Sequence, residues 1–175
     1  MRESVQKERI GEVFIKLAQR CKSPGRVYIV GGTTAVWSGW RDSTTDIDLK
    51  LSPEPQGIFE AIRDLKDELQ VNIELAAPDD FMPALPDWEA RSQFIATYHN
   101  ITFYHYDFYA QALSKILRSH NRDLQDVQAM LAKNLINPPE LKRLYLAIEP
   151  DLIRYPAIDP QDFKHKVEAI CGRIS

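Results

Sequence analysis

Seven residues, Thr45-Asp46-Ile47-Asp48-Leu49-Lys50-Leu51, alternate polar and apolar side chains without a break. A strand points successive side chains to opposite faces, so this period of two predicts a strand over 45–51 with one buried face. Ile47, Leu49 and Leu51 then face a core, and Asp46 and Asp48 share the opposite face. Their separation along the strand is roughly 6.6–6.8 Å. Carboxylates held side by side repel unless a cation or proton lies between them. Oxygen ligands of this kind favour Mg²⁺ or Mn²⁺ over Zn²⁺.

The rest of the chain must supply a sheet for that strand. Val27-Tyr28-Ile29-Val30 is a β-rich run closed by Gly31-Gly32, and a helical turn is expected over 33–40. Val71-Asn72-Ile73-Glu74-Leu75 alternates again, with Asn72 and Glu74 on one face and the apolar residues on the other. Runs at 93–98 and 101–106, separated by His99-Asn100, predict a hairpin. Helical spacing places Val5, Ile10, Val13, Phe14 and Leu17 on one stripe of a helix over 3–20, and Ile58, Ile62, Leu65 and Leu69 on a second over 56–69. Pro78 to Asp87 reads as a proline-rich loop. Past Asp107 the pattern is helical, over 107–119, 122–133, 138–148 and 160–171, with prolines between the segments. The expected fold class is α+β: a small mixed β-sheet flanked by helices in an α/β-like N-terminal half, core 1–106, and a helical C-terminal region, 107–175.

Composition narrows the function. A chain of 175 residues that is 44% hydrophobic can bury a core, and a net charge of −3 lacks the general basic footprint of a DNA coater. Two cysteines, Cys21 and Cys171, are too few for a disulfide scaffold or a four-cysteine zinc site. No apolar run is long enough for a membrane span, and the charged N-terminus has no signal-peptide core, so a cytoplasmic address and no membrane partner are expected. The four histidines, His99, His105, His120 and His165, lack metal-ligand spacing and read as structural. The aromatic segment Phe103, Tyr104, Tyr106, Phe108 and Tyr109 reads as packing between sheet and helices, with the lining of an acceptor cleft as the alternative.

Gly31-Gly32-Thr33 follows a predicted strand and opens a turn. Glycine lets backbone N–H groups approach phosphate oxygens closely. Glu74 is the natural third carboxylate if its strand runs beside the one carrying Asp46 and Asp48. Three converging acids can hold two metals that activate a hydroxyl and stabilise a pyrophosphate leaving group. On the helical side, Lys115 can neutralise phosphate charge, while Asp123 and Asp126 share a face of the next helix. The bland counterparts are a solvated strand face, an ordinary turn, an Arg122–Asp126 surface pair and Asp123 as a helix cap. Arg41 reads either as a phosphate contact or as a loop charge.

Together, Val30-Gly31-Gly32-Thr33-Thr34-Ala35 and Arg41-Asp42-Ser43-Thr44-Thr45-Asp46-Ile47-Asp48-Leu49 resemble the signature of the DNA-polymerase-β-type nucleotidyltransferases. With Lys115 and Arg122-Asp123-Leu124-Gln125-Asp126-Val127 following in order, they are most similar to the abortive-infection type IV toxin branch and its bacterial relatives. The resemblance spans about residues 27–131. It implies Asp46, Asp48 and Glu74 as ligands of Mg²⁺ or Mn²⁺, and Asp46, Asp48, Glu74 and Lys115 as catalytic residues. It further implies that Gly31, Gly32, Thr33, Arg41, Asp123 and Asp126 bind the nucleotide. The implied reaction moves a nucleoside monophosphate from an NTP to an acceptor hydroxyl, on an RNA end such as tRNA or on a protein. The branch is also associated with a cognate antitoxin. The alternative is a nucleotide-binding or regulatory protein that keeps the fold without the chemistry. Oligomeric state is not legible in the sequence.

Overall fold

The computed structural model describes residues 4–174. Its elements run α1 (Lys7–Arg20), β1 (Gly25–Val30), α2 (Gly32–Ser38), β2 (Asp46–Leu51), α3 (Ile58–Glu68), β3 (Asn72–Leu75), α4 (Trp88–Arg91), β4 (Gln93–Tyr98), β5 (Ile101–His105), α5 (Phe108–Arg118), α6 (Asn121–Ala132), α7 (Pro138–Ile148) and α8 (Pro160–Cys171). Short 3-10 turns add Pro78–Asp80 and Glu149–Arg154. The chain thus has a mixed sheet flanked by helices and a helical C-terminal half, the expected α+β class. Contacts divide it into two compact units: the described residues up to Ala77 with Ser92–Tyr106, and Pro78–Arg91 with the residues from Asp107 onward.

The first unit is built on a five-stranded sheet of order β3-β2-β1-β5-β4. β1 lies antiparallel to β2 and parallel to β5, β2 is parallel to β3, and β4 and β5 form the antiparallel hairpin. His99 takes the left-handed conformation (φ 52°) in the hairpin turn. One face of the sheet carries the core. Val27, Ile29, Ile47, Leu49, Ile73, Ile101 and Phe103 pack there against Ile10, Val13, Phe14 and Leu17 of α1 and Ile58 and Leu65 of α3. Burial of each such side chain contributes about 1.5–3 kcal/mol, which is why the two amphipathic stripes decide where α1 and α3 lie. Phe14 stacks on Phe103 with ring centroids 4.4 Å apart.

Three details differ from the expectations. The helix expected over 3–20 begins at Lys7, and residue 3 lies outside the described residues. Val5 instead pairs with Thr44, its N–H donating to Thr44 O at 2.7 Å and its O accepting from Thr44 N–H at 2.9 Å. A fully buried Val5 satisfied by a strand-like bridge cannot also start a helix. Leu75, expected on the core face, is 46% exposed, because β3 is an edge strand and ends there. The loop expected over 78–87 contains a 3-10 turn, and the four-residue α4 after it is too short to show helical periodicity.

In the second unit the helix starts are set by capping. Asp107 accepts the Tyr109 N–H at 3.0 Å, Asn137 accepts that of Glu140 at 2.9 Å before Pro138, and Asp159 accepts that of Gln161 at 3.0 Å before Pro160. Tyr145 and Phe163 meet edge to face at 5.2 Å between α7 and α8. Arg91 reaches Asp107 Oδ2 at 2.7 Å, joining α4 to the start of α5. Burial still raises the Asp107 carboxyl above its usual range, with Arg91 and the cap hydrogen bonds opposing.

Candidate functional site

The sheet face away from α1 and α3 carries Asp46, Asp48 and Glu74. β1 ends at Val30, and the chain turns at Gly31 with φ +64°, a conformation that disfavours any side chain. A Cβ at Gly31 would stand 3.4 Å from Asp48 Oδ2, so that carboxylate lies directly against the turn. A Cβ at Gly32 would press on Thr44 Oγ1 and come within 2.9 Å of Arg41 Nη1. Gly31, Gly32, Arg41, Thr44 and Asp48 therefore converge on one spot. Thr33, fully buried, binds the turn to β2: its Oγ1 accepts the Asp48 N–H at 3.0 Å and faces Asp46 O at 3.4 Å. Thr44 Oγ1 donates to the same Asp46 carbonyl at 3.1 Å.

The parallel pairing of β2 with β3 sets Asp46 opposite Asn72 and Asp48 opposite Glu74. Asp46 and Asp48 are half-buried and Glu74 is exposed, all on the face away from α1 and α3. The Asn72 amide bridges two of the acids, donating to Asp46 Oδ1 at 2.7 Å and to Glu74 Oε1 at 2.6 Å. Asn72, read from the sequence only as a neighbour of Glu74, is thus the link between the carboxylates. Among the described residues no group of three or more His, Cys, Asp or Glu is placed to hold a metal ion. Mg²⁺ nevertheless needs only one or two protein carboxylates when substrate phosphates complete its shell. The hard oxygen donors of Asp46 and Asp48, beside a glycine turn open to phosphate, fit that requirement.

In the helical unit, Lys115 is 5% exposed and its Nζ lies 2.7 Å from Asp126 Oδ2 and 3.8 Å from Asp123 Oδ1. Arg118 forks onto Asp123 at 2.8 and 2.6 Å, and the His120 N–H closes a capping box on it at 3.2 Å. Burial pushes the Asp123 carboxyl up, but Arg118 and Lys115 together hold it below the usual range. Lys115, Asp123 and Asp126 form one buried ionic cluster, with Asp126 held by a lysine eleven positions earlier.

His105, expected to be structural, is a buried member of β5 with Nδ1 3.2 Å from Thr34 Oγ1. Thr34 donates onward to Ile29 O at 3.1 Å, so the imidazole supplies the Nδ1 hydrogen in this arrangement. Desolvation drives its pKa down to about 4. Trp37 packs against Phe14 at 5.0 Å under the Lys7 ammonium, and Phe103, Tyr106 and Phe108 are buried as packing residues. No helix among the described residues is long and apolar enough to cross a membrane.

A glycine turn after β1 and the Asp-x-Asp strand β2 thus stand side by side on one mixed sheet, a placement that the comparison with protein families puts in context. The chain belongs to the family described as "Nucleotidyltransferase of unknown function (DUF6036)", whose profile matches residues 9–168. Neither the curated proteins nor the solved structures hold a match to it.

Proposed function

We propose that the chain is a metal-dependent nucleotidyltransferase that moves a nucleoside monophosphate from an NTP to an acceptor hydroxyl, on an RNA end or a protein. The observation that carries this reading is the placement of Asp46 and Asp48 on the sheet face away from α1 and α3, with the Asp48 carboxylate against the Gly31 turn. Membership of a nucleotidyltransferase family supports it.

The acceptor oxygen attacks the α-phosphorus, the bond from that phosphorus to the bridging oxygen breaks, and pyrophosphate leaves with the electron pair. Gly31 and Gly32 let the triphosphate approach the backbone, and Arg41, beside Gly32, adds positive charge there. Asp46 and Asp48 would hold Mg²⁺ or Mn²⁺, which would supply positive charge against the phosphates and ease ionisation of the acceptor. Thr33 fixes the backbone of both aspartates. Glu74, across from Asp48, accepts the acceptor proton directly or through water. By the likeness of their motif, Lys115 offers positive charge to phosphate and Asp123 and Asp126 bind nucleotide. The likeness of the motifs to the abortive-infection type IV toxins supports a role as the toxin partner of an antitoxin.

Calorimetry with each NTP, with and without Mg²⁺, tests the proposal on wild type and on Asp46→Asn/Asp48→Asn. Metal-dependent binding lost in the double variant is expected, followed by transfer of label from α-labelled NTP to RNA or protein. Equal binding by the double variant would overturn the site.

A further inference from the structure

Between carboxylates on β2 and β3 stands a side chain that the reaction above does not use. Asn72 lies opposite Asp46 in the parallel register, and Glu74 follows two residues later on the same face of β3. An amide nitrogen carries two hydrogens, and both are committed. One goes to Asp46 Oδ1 at 2.7 Å and the other to Glu74 Oε1 at 2.6 Å. A lysine or arginine at this position would cancel the negative charge that draws a cation, and a further carboxylate would add repulsion. The amide satisfies one oxygen of each acid and leaves the charge of both intact.

The consequence falls on the oxygens that remain. With Oδ1 accepting from Asn72, Asp46 has Oδ2 left for a cation. Thr45 Oγ1 stands 3.3 Å from Oδ2, but Thr45 is exposed and its hydroxyl is free to rotate toward water. A carboxylate restricted to one oxygen suits Mg²⁺, which is small, strictly octahedral and keeps several of its waters. Ca²⁺ fills a larger shell and readily takes carboxylates through both oxygens. We infer that Asn72 is a positioning residue that sets ion specificity: by tying Asp46 Oδ1 it limits that ligand to one oxygen and favours Mg²⁺ over Ca²⁺. Hydrogen-bond partners of metal ligands commonly act in this way, orienting the ligand without touching the ion. This role rests on the nucleotidyltransferase reading above, and adds to it a source of discrimination in a neutral side chain.

Calorimetric binding of ATP in Mg²⁺ and in Ca²⁺ tests it on wild type, Asn72→Leu and Asn72→Asp. Asn72 is half-buried on an edge strand, so both variants are compatible with the sheet, and urea unfolding checks this. Leucine keeps the approximate shape and removes both donors; aspartate removes them and adds an oxygen ligand. Wild type should bind ATP more tightly in Mg²⁺ than in Ca²⁺. Asn72→Leu should lose about tenfold in Mg²⁺ and much less in Ca²⁺, so that the ratio narrows. Asn72→Asp should narrow it further, because more oxygens suit the larger shell. A merely structural asparagine would weaken binding in both ions alike. An unchanged ratio in Asn72→Leu, or a wild type without preference for Mg²⁺, therefore overturns the role of Asn72 while the Asp46–Asp48 site stands. ATP binding by wild type that needs no metal, or no ATP binding at all, overturns the nucleotidyltransferase reading and the role of Asn72 with it.

Discussion

The hydroxyl of Thr33 accepts the backbone N–H of Asp48 at 3.0 Å, fastening the turn after β1 to the strand that carries the aspartates. Thr33→Val removes the acceptor and keeps the shape. It should cost about 1–2 kcal/mol in urea unfolding, whereas Thr33→Ser should remain within about 0.5–1 kcal/mol of wild type. Metal-dependent nucleotide affinity should fall in Thr33→Val and largely survive in Thr33→Ser, because only the valine frees the Asp48 backbone.

Gly32 has no room for a methyl group, with Thr44 Oγ1 and Arg41 Nη1 on the spot it would occupy. Gly32→Ala should destabilise the fold by about 1–3 kcal/mol. Gly39, with nothing near its Cβ position but φ +92°, supplies the comparison. Gly39→Ala should leave nucleotide binding intact and reduce only stability, so equal loss of binding in both variants would show that the turn is not the phosphate contact.

Lys115 and Asp126 are both buried and paired at 2.7 Å. Lys115→Met should destabilise by about 3–5 kcal/mol, since it strands a buried carboxylate, and Lys115→Met/Asp126→Leu should recover much of that. The double variant then reports on chemistry separately from folding. If Lys115 serves transfer, the stable double variant is inactive; if the cluster only holds α5 to α6, turnover returns with stability.

His105 gives the fold a pH dependence of known sign. Its pKa lies near 4 in the folded chain, below the ordinary value of 6.5, so the unfolded chain binds the extra proton. Stability from this group is full above pH ~6.5 and declines as pH falls toward the folded pKa, by up to about 3 kcal/mol. Urea midpoints of wild type and His105→Asn between pH 7 and 4.5 measure it. The wild type should fall more steeply, the difference being the contribution of the imidazole.

Much of this was legible because the signals are local. The alternation at 45–51 is read without knowledge of any other segment, and Pro138 and Pro160 punctuate the chain where α7 and α8 start. What escaped depends on partners far along the chain. Val5 leaves the helix because Thr44 offers it a pair of hydrogen bonds. Asp126 is spaced for a surface pair with Arg122, yet Lys115 on the preceding helix takes it into the interior. Asn72 carries no catalytic signal, and its link to Asp46 exists only because β2 and β3 align in parallel. The convergence of Asp48 with Gly31 was foreseeable as proximity but not as contact, since strand spacing alone does not orient a carboxylate.

β1 receives β2 on one side from the next strand in the chain, but its other neighbour, β5, ends only at His105. A ribosome adding about 5–20 residues per second leaves that edge bare for several seconds while the intervening segments emerge. Throughout that interval Val27 and Ile29 sit on a strand able to recruit any passing chain. Newborn copies on neighbouring ribosomes are thus exposed to one another at the innermost strand of the sheet, and slower translation between α3 and the hairpin lengthens that vulnerability.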